Sequence, residues 1–304
     1  MSTLTRNDRL FARSRALQRQ QTKVSYLFLL PALLFFFGFV IFPMGMGIYT
    51  SFFNYTMGSF DFIGLGNYAE LFRDPTFGRS VINTLIIVVV SVPLVGLFSL
   101  WVATLIYRMP VFSRSFYRGV FYLPVVMGSV PVVVVWKWVF NKYYGILNWL
   151  LKSLVVLGVG VNWLGDARYA IWCVLAILFT TSIGQPIVLY VASLGNVDHS
   201  QIEASQVDGA SKWQTFLHVK WPSLLPTTLY VLVITTINSF QCFALIQLLT
   251  RGGPNGSTST VMYYLYDTAF KLYRYGYANA MGVILAILIA LFSAFQFRLM
   301  RTNE

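Results

Sequence analysis

The sequence predicts an all-α membrane protein of six transmembrane helices, and three observations predict it. Of its 304 residues, 57% are hydrophobic and 11% charged, with a mean hydropathy of +0.66, whereas a soluble domain carries about 25% charge. Six apolar runs are each long enough to cross a bilayer core, which takes about 20 helical residues. All ten acidic residues (Asp8, Asp61, Glu70, Asp74, Asp166, Asp198, Glu203, Asp208, Asp267 and Glu304) fall outside those runs.

The first run, Val24 to Tyr49, follows an arginine-rich stretch and carries Pro31 and Pro43. It is too long for a removable signal and lacks a small-residue cleavage site, so it reads as a retained span. The second runs from Val81 to Ile106, the third from Arg118 to Phe140, the fourth from Tyr169 to Leu194, the fifth from Pro226 to Leu248 and the sixth from Asn279 to Phe297. Between the third and fourth, Tyr144 to Val161 is interrupted by Asn148, Lys152, Gly158 and Gly160. It is expected as an amphipathic helix on the outer surface, since a seventh span would reverse the sidedness of everything after it. No internal boundary or repeat is visible. The expected organisation is a basic segment at 1–23, one six-helix domain at 24–297 and a tail at 298–304.

Basic residues orient the bundle. Arg6, Arg9, Arg13, Arg15, Arg19 and Lys23, then Arg108, Arg114 and Arg118, then Lys212 and Lys220, then Arg298 and Arg301, make thirteen of the 22 Lys and Arg. They fall on the termini and the second and fourth connections, which predicts that both termini face the cytoplasm. The net charge of +12 is scattered over short loops with no soluble domain to form a groove, so nucleic acid is not an expected partner; contact with membrane lipid is.

The fourth connection, 198–222, holds the most informative motif. Glu203-Ala204-Ser205-Gln206-Val207-Asp208-Gly209 is followed after nine residues by Val219-Lys220-Trp221-Pro222. Ile202, Val207, Ala210, Trp213, Phe216 and Leu217 recur at roughly helical intervals, as in a short helix pair lying across a membrane face. Gly209 permits a bend or a close approach, and Pro222 and Pro226 are expected to stop or re-aim the chain. This segment resembles the "EAA" loop of the membrane subunits of binding-protein-dependent ABC importers, which reads Glu-Ala-Ala, three residues, Gly, nine residues, Ile, one residue, Leu-Pro. Ser205, Val219 and Trp221 depart from it conservatively.

Further stretches resemble the maltose-type and multiple-sugar branch of that family: Ile63-Gly64-Leu65-Gly66-Asn67-Tyr68, Asp74-Pro75, Asn83-Thr84-Leu85, Asn162-Trp163-Leu164-Gly165-Asp166 and Leu248-Leu249-Thr250-Arg251-Gly252-Gly253-Pro254. The resemblance implies a type I importer permease fold in a bacterial cytoplasmic membrane. It also implies a homologous second permease, a dimeric cytoplasmic ATPase carrying the ATP and magnesium, an extracytoplasmic solute-binding protein, and a sugar or related polyol as cargo. Glu203, Ala204, Ser205, Asp208, Gly209, Ala210 and Pro222 would then engage the ATPase. Matched to the maltose-type permease, the sugar path falls near Ser129, Thr180, Gly184, Asn238, Ser239 and Gln241, and Gln185, a polar residue of the fourth run beside Gly184, is expected with them. Hydroxyls and amides suit a neutral polyol; the same residues also serve as hydrogen-bonding glue between membrane helices.

Absences narrow the class. Proton- or sodium-driven carriers keep ionisable groups at membrane depth, and the six runs hold no acid. His199 and His218 share one loop without the His-Glu-x-x-His spacing, Cys173 and Cys242 each stand alone within an expected span, and no Gly-Lys-Ser/Thr phosphate loop is present. Neither enzyme chemistry nor a metal, nor any cofactor bound by this chain, is expected. The residues alone leave an ATP-independent carrier or channel for a small polar solute as the alternative.

Overall fold

The computed structural model describes residues 22, 24–154 and 160–300. Helix α1 (Val24–Thr50) is apolar throughout, and no residue of its most apolar stretch is buried against the rest of the chain. A hairpin of β1 (Phe53–Tyr55) and β2 (Phe60–Phe62) follows, antiparallel with Asn54 opposite Asp61. It was not foreseen, because each strand is too short to show an alternation. Then come α2 (Gly66–Arg73) and α3 (Pro75–Tyr107). Asp74 caps α3 by accepting the Thr76 N–H at 2.8 Å, and Pro75 opens the helix at a position where its missing donor costs nothing.

The third expected span is broken. Helices α4 (Val111–Val126) and α5 (Ser129–Val139) meet at 96° across Met127 and Gly128. Gly128 stands at φ +73°, a left-handed conformation that glycine adopts without strain. Arg114 and Arg118 therefore lie in α4 rather than in a connection. Helix α6 (Ile146–Ser153) is eight residues long, far short of a span; residues 155–159 lie outside the described residues, as do the basic segment apart from Thr22 and the last four residues.

The fourth span, Ala167–Gly195, consists of α7 (Ala167–Ser182) and α8 (Gly184–Gly195). After α9 (His199–Val207) and α10 (Lys212–Thr215), a π turn at Phe216–Lys220 leads into α11 (Trp221–Phe240). Of the expectation that Pro222 and Pro226 stop or re-aim the chain, the stop is corrected: helix runs from Lys212 to Phe240. Pro222 sits in the first turn of α11, just after the π turn, and Pro226 lies inside a helix that continues past it. The fifth span stops at Phe240, eight residues earlier than expected, and α12 (Ala244–Leu249), α13 (Val261–Phe270) and α14 (Tyr275–Met300) complete the chain.

Helix α3 is the central post. Around it, one apolar cluster gathers Ile87, Ile177 and Ile246; a second gathers Val95, Ile187, Tyr190 and Leu224; a third gathers Val88, Phe240 and Met281. The exposed Phe, Leu and Trp on the outer faces of α1, α3 and α14 are what a protein surrounded by lipid rather than water presents.

Candidate coupling loop and polar cavity

The 198–222 segment folds as a helical hairpin at one end of the bundle. Asp198 caps α9 by accepting the Ser200 N–H at 2.9 Å, and that bond holds its carboxyl below the usual range. Glu203 and Ala204 are exposed on α9. Ser205 donates to the Ile202 carbonyl at 2.7 Å and shares a hydrogen bond with Thr215 Oγ1 at 3.1 Å. The departure from the Ala-Ala pattern thus ties the two limbs together. Asp208 caps the end of α9, and Gly209 follows at φ +76° with nothing within 4 Å of where a Cβ would stand. Of the two roles expected for this glycine, the structure shows the bend. Ala210 returns its N–H to the Ser205 carbonyl at 2.9 Å, and Ser211 and Gln214 form a capping box that starts α10. Pro222 is exposed. The expected apolar stripe is not one face, because the chain reverses between its halves. Ile202, Ala210 and Phe216 are half-buried, while Val207 is 88% and Trp213 66% exposed.

The break at Gly128 opens two adjoining cavities toward α7, α8 and α11. One, of about 250 Å³, sets Gly128, Ser129, Thr181 and Gln241 among apolar neighbours that include Pro124, Leu178, Phe243 and Leu245. The other, of about 130 Å³, is lined by Thr181, Ser182, Gln185, Tyr230, Thr235 and Asn238. Val125 and Thr181 belong to both, and no charged side chain lines either.

Four of the seven path residues read from the sequence, Ser129, Gln185, Asn238 and Gln241, therefore face a cavity. Three do not. Ser239 is buried and shares a 2.8 Å hydrogen bond with Ser91 of α3. Thr180 donates to the Ile177 carbonyl at 2.9 Å. Gly184 packs against α4 so closely that a Cβ would lie 2.5 Å from the Phe121 carbonyl oxygen. Tyr230 was missed; its position eight residues before Asn238, on the same helical face, is the signal that marks it.

At the opposite end of α3 the other family-like stretches meet. Asn67 donates to the carbonyls of Ser51 and Phe53, each at 2.8 Å, and Asn83 donates to those of Gly256 and Ser259, each at 2.9 Å. Asp74 accepts the hydroxyls of Tyr264 and Tyr277 at 2.6 and 2.9 Å. Burial pushes its carboxyl up, but those bonds and two backbone N–H groups outweigh it and leave the pKa below the ordinary 3.8.

The family model described as "Binding-protein-dependent transport system inner membrane component" matches residues 62–302, the hairpin loop and both cavities included. The chain belongs to this family. As a member it is an inner-membrane transport component, not an enzyme. It is 32% identical over 268 residues, 88% of its length and 91% of the relative's, to the multiple sugar-binding transport system permease protein MsmF of Streptococcus mutans serotype c. It is 31% identical to the probable ABC transporter permease protein YurN of Bacillus subtilis, over 94% and 98% of the two chains. Its fold matches a chain in the crystal structure of a bacterial ABC transporter involved in the import of the acidic polysaccharide alginate, with a TM-score of 0.78, 23% identity and coverage of 94% and 98%. Among the described residues no group of His, Cys, Asp and Glu could hold a metal ion.

Proposed function

We propose that this permease is one half of the translocation path of an ATP-driven sugar importer, paired with a homologous second permease. One subunit of a dimeric ATPase binds at the 198–222 hairpin and the other at the corresponding hairpin of the second permease, and a solute-binding protein delivers cargo at the other end. The observation that carries the coupling role is the hairpin tip: Val207, two residues before the bend at Gly209, is 88% exposed, an apolar side chain held out where a partner can cover it. Closure of the ATPase dimer on ATP pulls the paired hairpins together and turns the cavity outward; hydrolysis returns it inward. Glu203 and Gly209 transmit this movement and perform no catalysis. Among apolar neighbours the cavities present the hydroxyls and amides of Ser129, Thr181, Ser182, Gln185, Asn238 and Gln241 and no charge, groups that recognise an uncharged saccharide by directional hydrogen bonds.

Co-purification with the ATPase tests the coupling. Glu203→Lys and Gly209→Val are expected to reach the membrane in normal amount while losing bound ATPase or its stimulation by loaded binding protein. Wild-type transport and ATPase retention in both variants would refute the assignment.

A further inference from the structure

We infer that the apolar groove beside the coupling hairpin binds an anionic glycerophospholipid of the surrounding leaflet. The groove encloses about 580 Å³ between α3 and the limb formed by α10 and α11. Three of the chain's eight tryptophans, Trp101, Trp213 and Trp221, form its walls; such rings settle at the level of lipid headgroups. Arg108 and Lys212 stand in the same lining, and no acid does. Among the described residues neither cation has a carboxylate within ion-pair distance. Arg114, by contrast, is engaged with the Tyr107 and Met109 carbonyls at 2.8 and 3.2 Å.

Two uncompensated cations over an apolar slot fit a ligand that is anionic at one end and aliphatic at the other. Through Leu97 and Trp221 the groove adjoins a second apolar cavity of about 500 Å³, which extends the path available to an acyl chain. A soluble anion would leave the slot unused, and a zwitterionic lipid brings no net charge to the cations. The site is separate from the polar cavities and stands whatever cargo they carry.

Native mass spectrometry of the purified complex, supplemented with phosphatidylglycerol or phosphatidylcholine, tests the inference without measuring transport. Wild type is expected to retain phosphatidylglycerol preferentially. Arg108→Gln and Lys212→Gln should each weaken retention about fivefold, and together about thirtyfold. Both side chains are exposed, so these variants should keep the fold. Leu97→Trp should lower retention by filling the slot with the charges intact, and Lys142→Gln, outside the groove lining, should change nothing. Equal retention of the two lipids by wild type, or undiminished retention in the double variant, overturns the assignment. So does a photocrosslinking residue at position 97 that captures the second permease instead of lipid.

Discussion

Asn238 and Ser239 are neighbours in sequence whose side chains serve different surroundings: one opens onto the smaller polar cavity, the other is buried against Ser91. Composition could not separate them, since either residue type serves a path or a helix contact, and the deciding fact is which helix stands opposite. The difference is measurable. Asn238→Ala and Gln241→Ala each remove about 0.5 to 1.5 kcal/mol of directional bonding and should lower uptake roughly two- to tenfold with complex yield unchanged. A parallel fall in yield and ATPase activity would reassign both to packing. Ser239→Ala instead strands the buried Ser91 hydroxyl at a cost of about 1 to 3 kcal/mol, and the Ser91→Ala, Ser239→Ala double variant should be no less stable than the single one; a double variant that melts well below the single would remove that reading. Asp74 provides a pH test. Its folded pKa lies below the ordinary 3.8, so its stabilising contribution is complete above that value and is lost as pH falls through the lower, folded one. Asp74→Asn should therefore lower the melting temperature at pH 7 and narrow its gap to wild type below about pH 4. A gap unchanged down to pH 3 would show that the charge is not what holds Tyr264 and Tyr277.

The elements divide by how local their causes are. Long apolar runs are written residue by residue, and all six spans are legible from Val24 onward. The break at Gly128 is not, because Gly128 and Pro131 in an apolar run are equally compatible with a straight helix; what decides is the space α7 and α8 leave beside α4. Gly184 sets that space. Its backbone lies against Phe121, Tyr122 and Val125, and an alanine methyl at this position would stand only 2.5 Å from the Phe121 carbonyl oxygen. Backbone cannot yield as a flexible side chain does, so Gly184→Ala should destabilise the fold by about 1 to 3 kcal/mol. Thermal unfolding of the purified chain in detergent measures it, and an unchanged midpoint would mean that α4 and α8 can separate freely. The helix pair of the 198–222 hairpin was legible from its sequence, whereas the continuation of helix through Pro222 was not: the π turn that precedes it is a property of hydrogen-bond register, which residue types alone do not reveal.

For the whole molecule, the basic residues predict which way the bundle crosses the membrane, even though Arg114 and Arg118 lie in α4 rather than in a connection. Single cysteines at Lys212 and Asp166 check it in intact cells with an impermeant thiol reagent. Labelling at 166 and protection at 212 is expected, and the reverse pattern would invert the orientation. The most apolar stretch of the first helix buries no residue against its own chain, and the helix is held at its far end, where Thr50 is buried and accepts a hydrogen bond from Asn279 of α14 at 2.7 Å. The broken third span has a different consequence. Its limbs have 16 and 11 residues, about 24 and 16 Å of helix against a hydrocarbon core of about 30 Å. The bend therefore falls inside the bilayer, where the last carbonyls of one limb and the first N–H groups of the other lack helical partners. Gly128 and Ser129 lie at the larger cavity, and irregular backbone persists at such depth only where protein buries it or a cavity admits water. A solute that occupied this cavity would therefore meet open backbone groups as well as the side chains of Ser129 and Gln241, and would have to satisfy both.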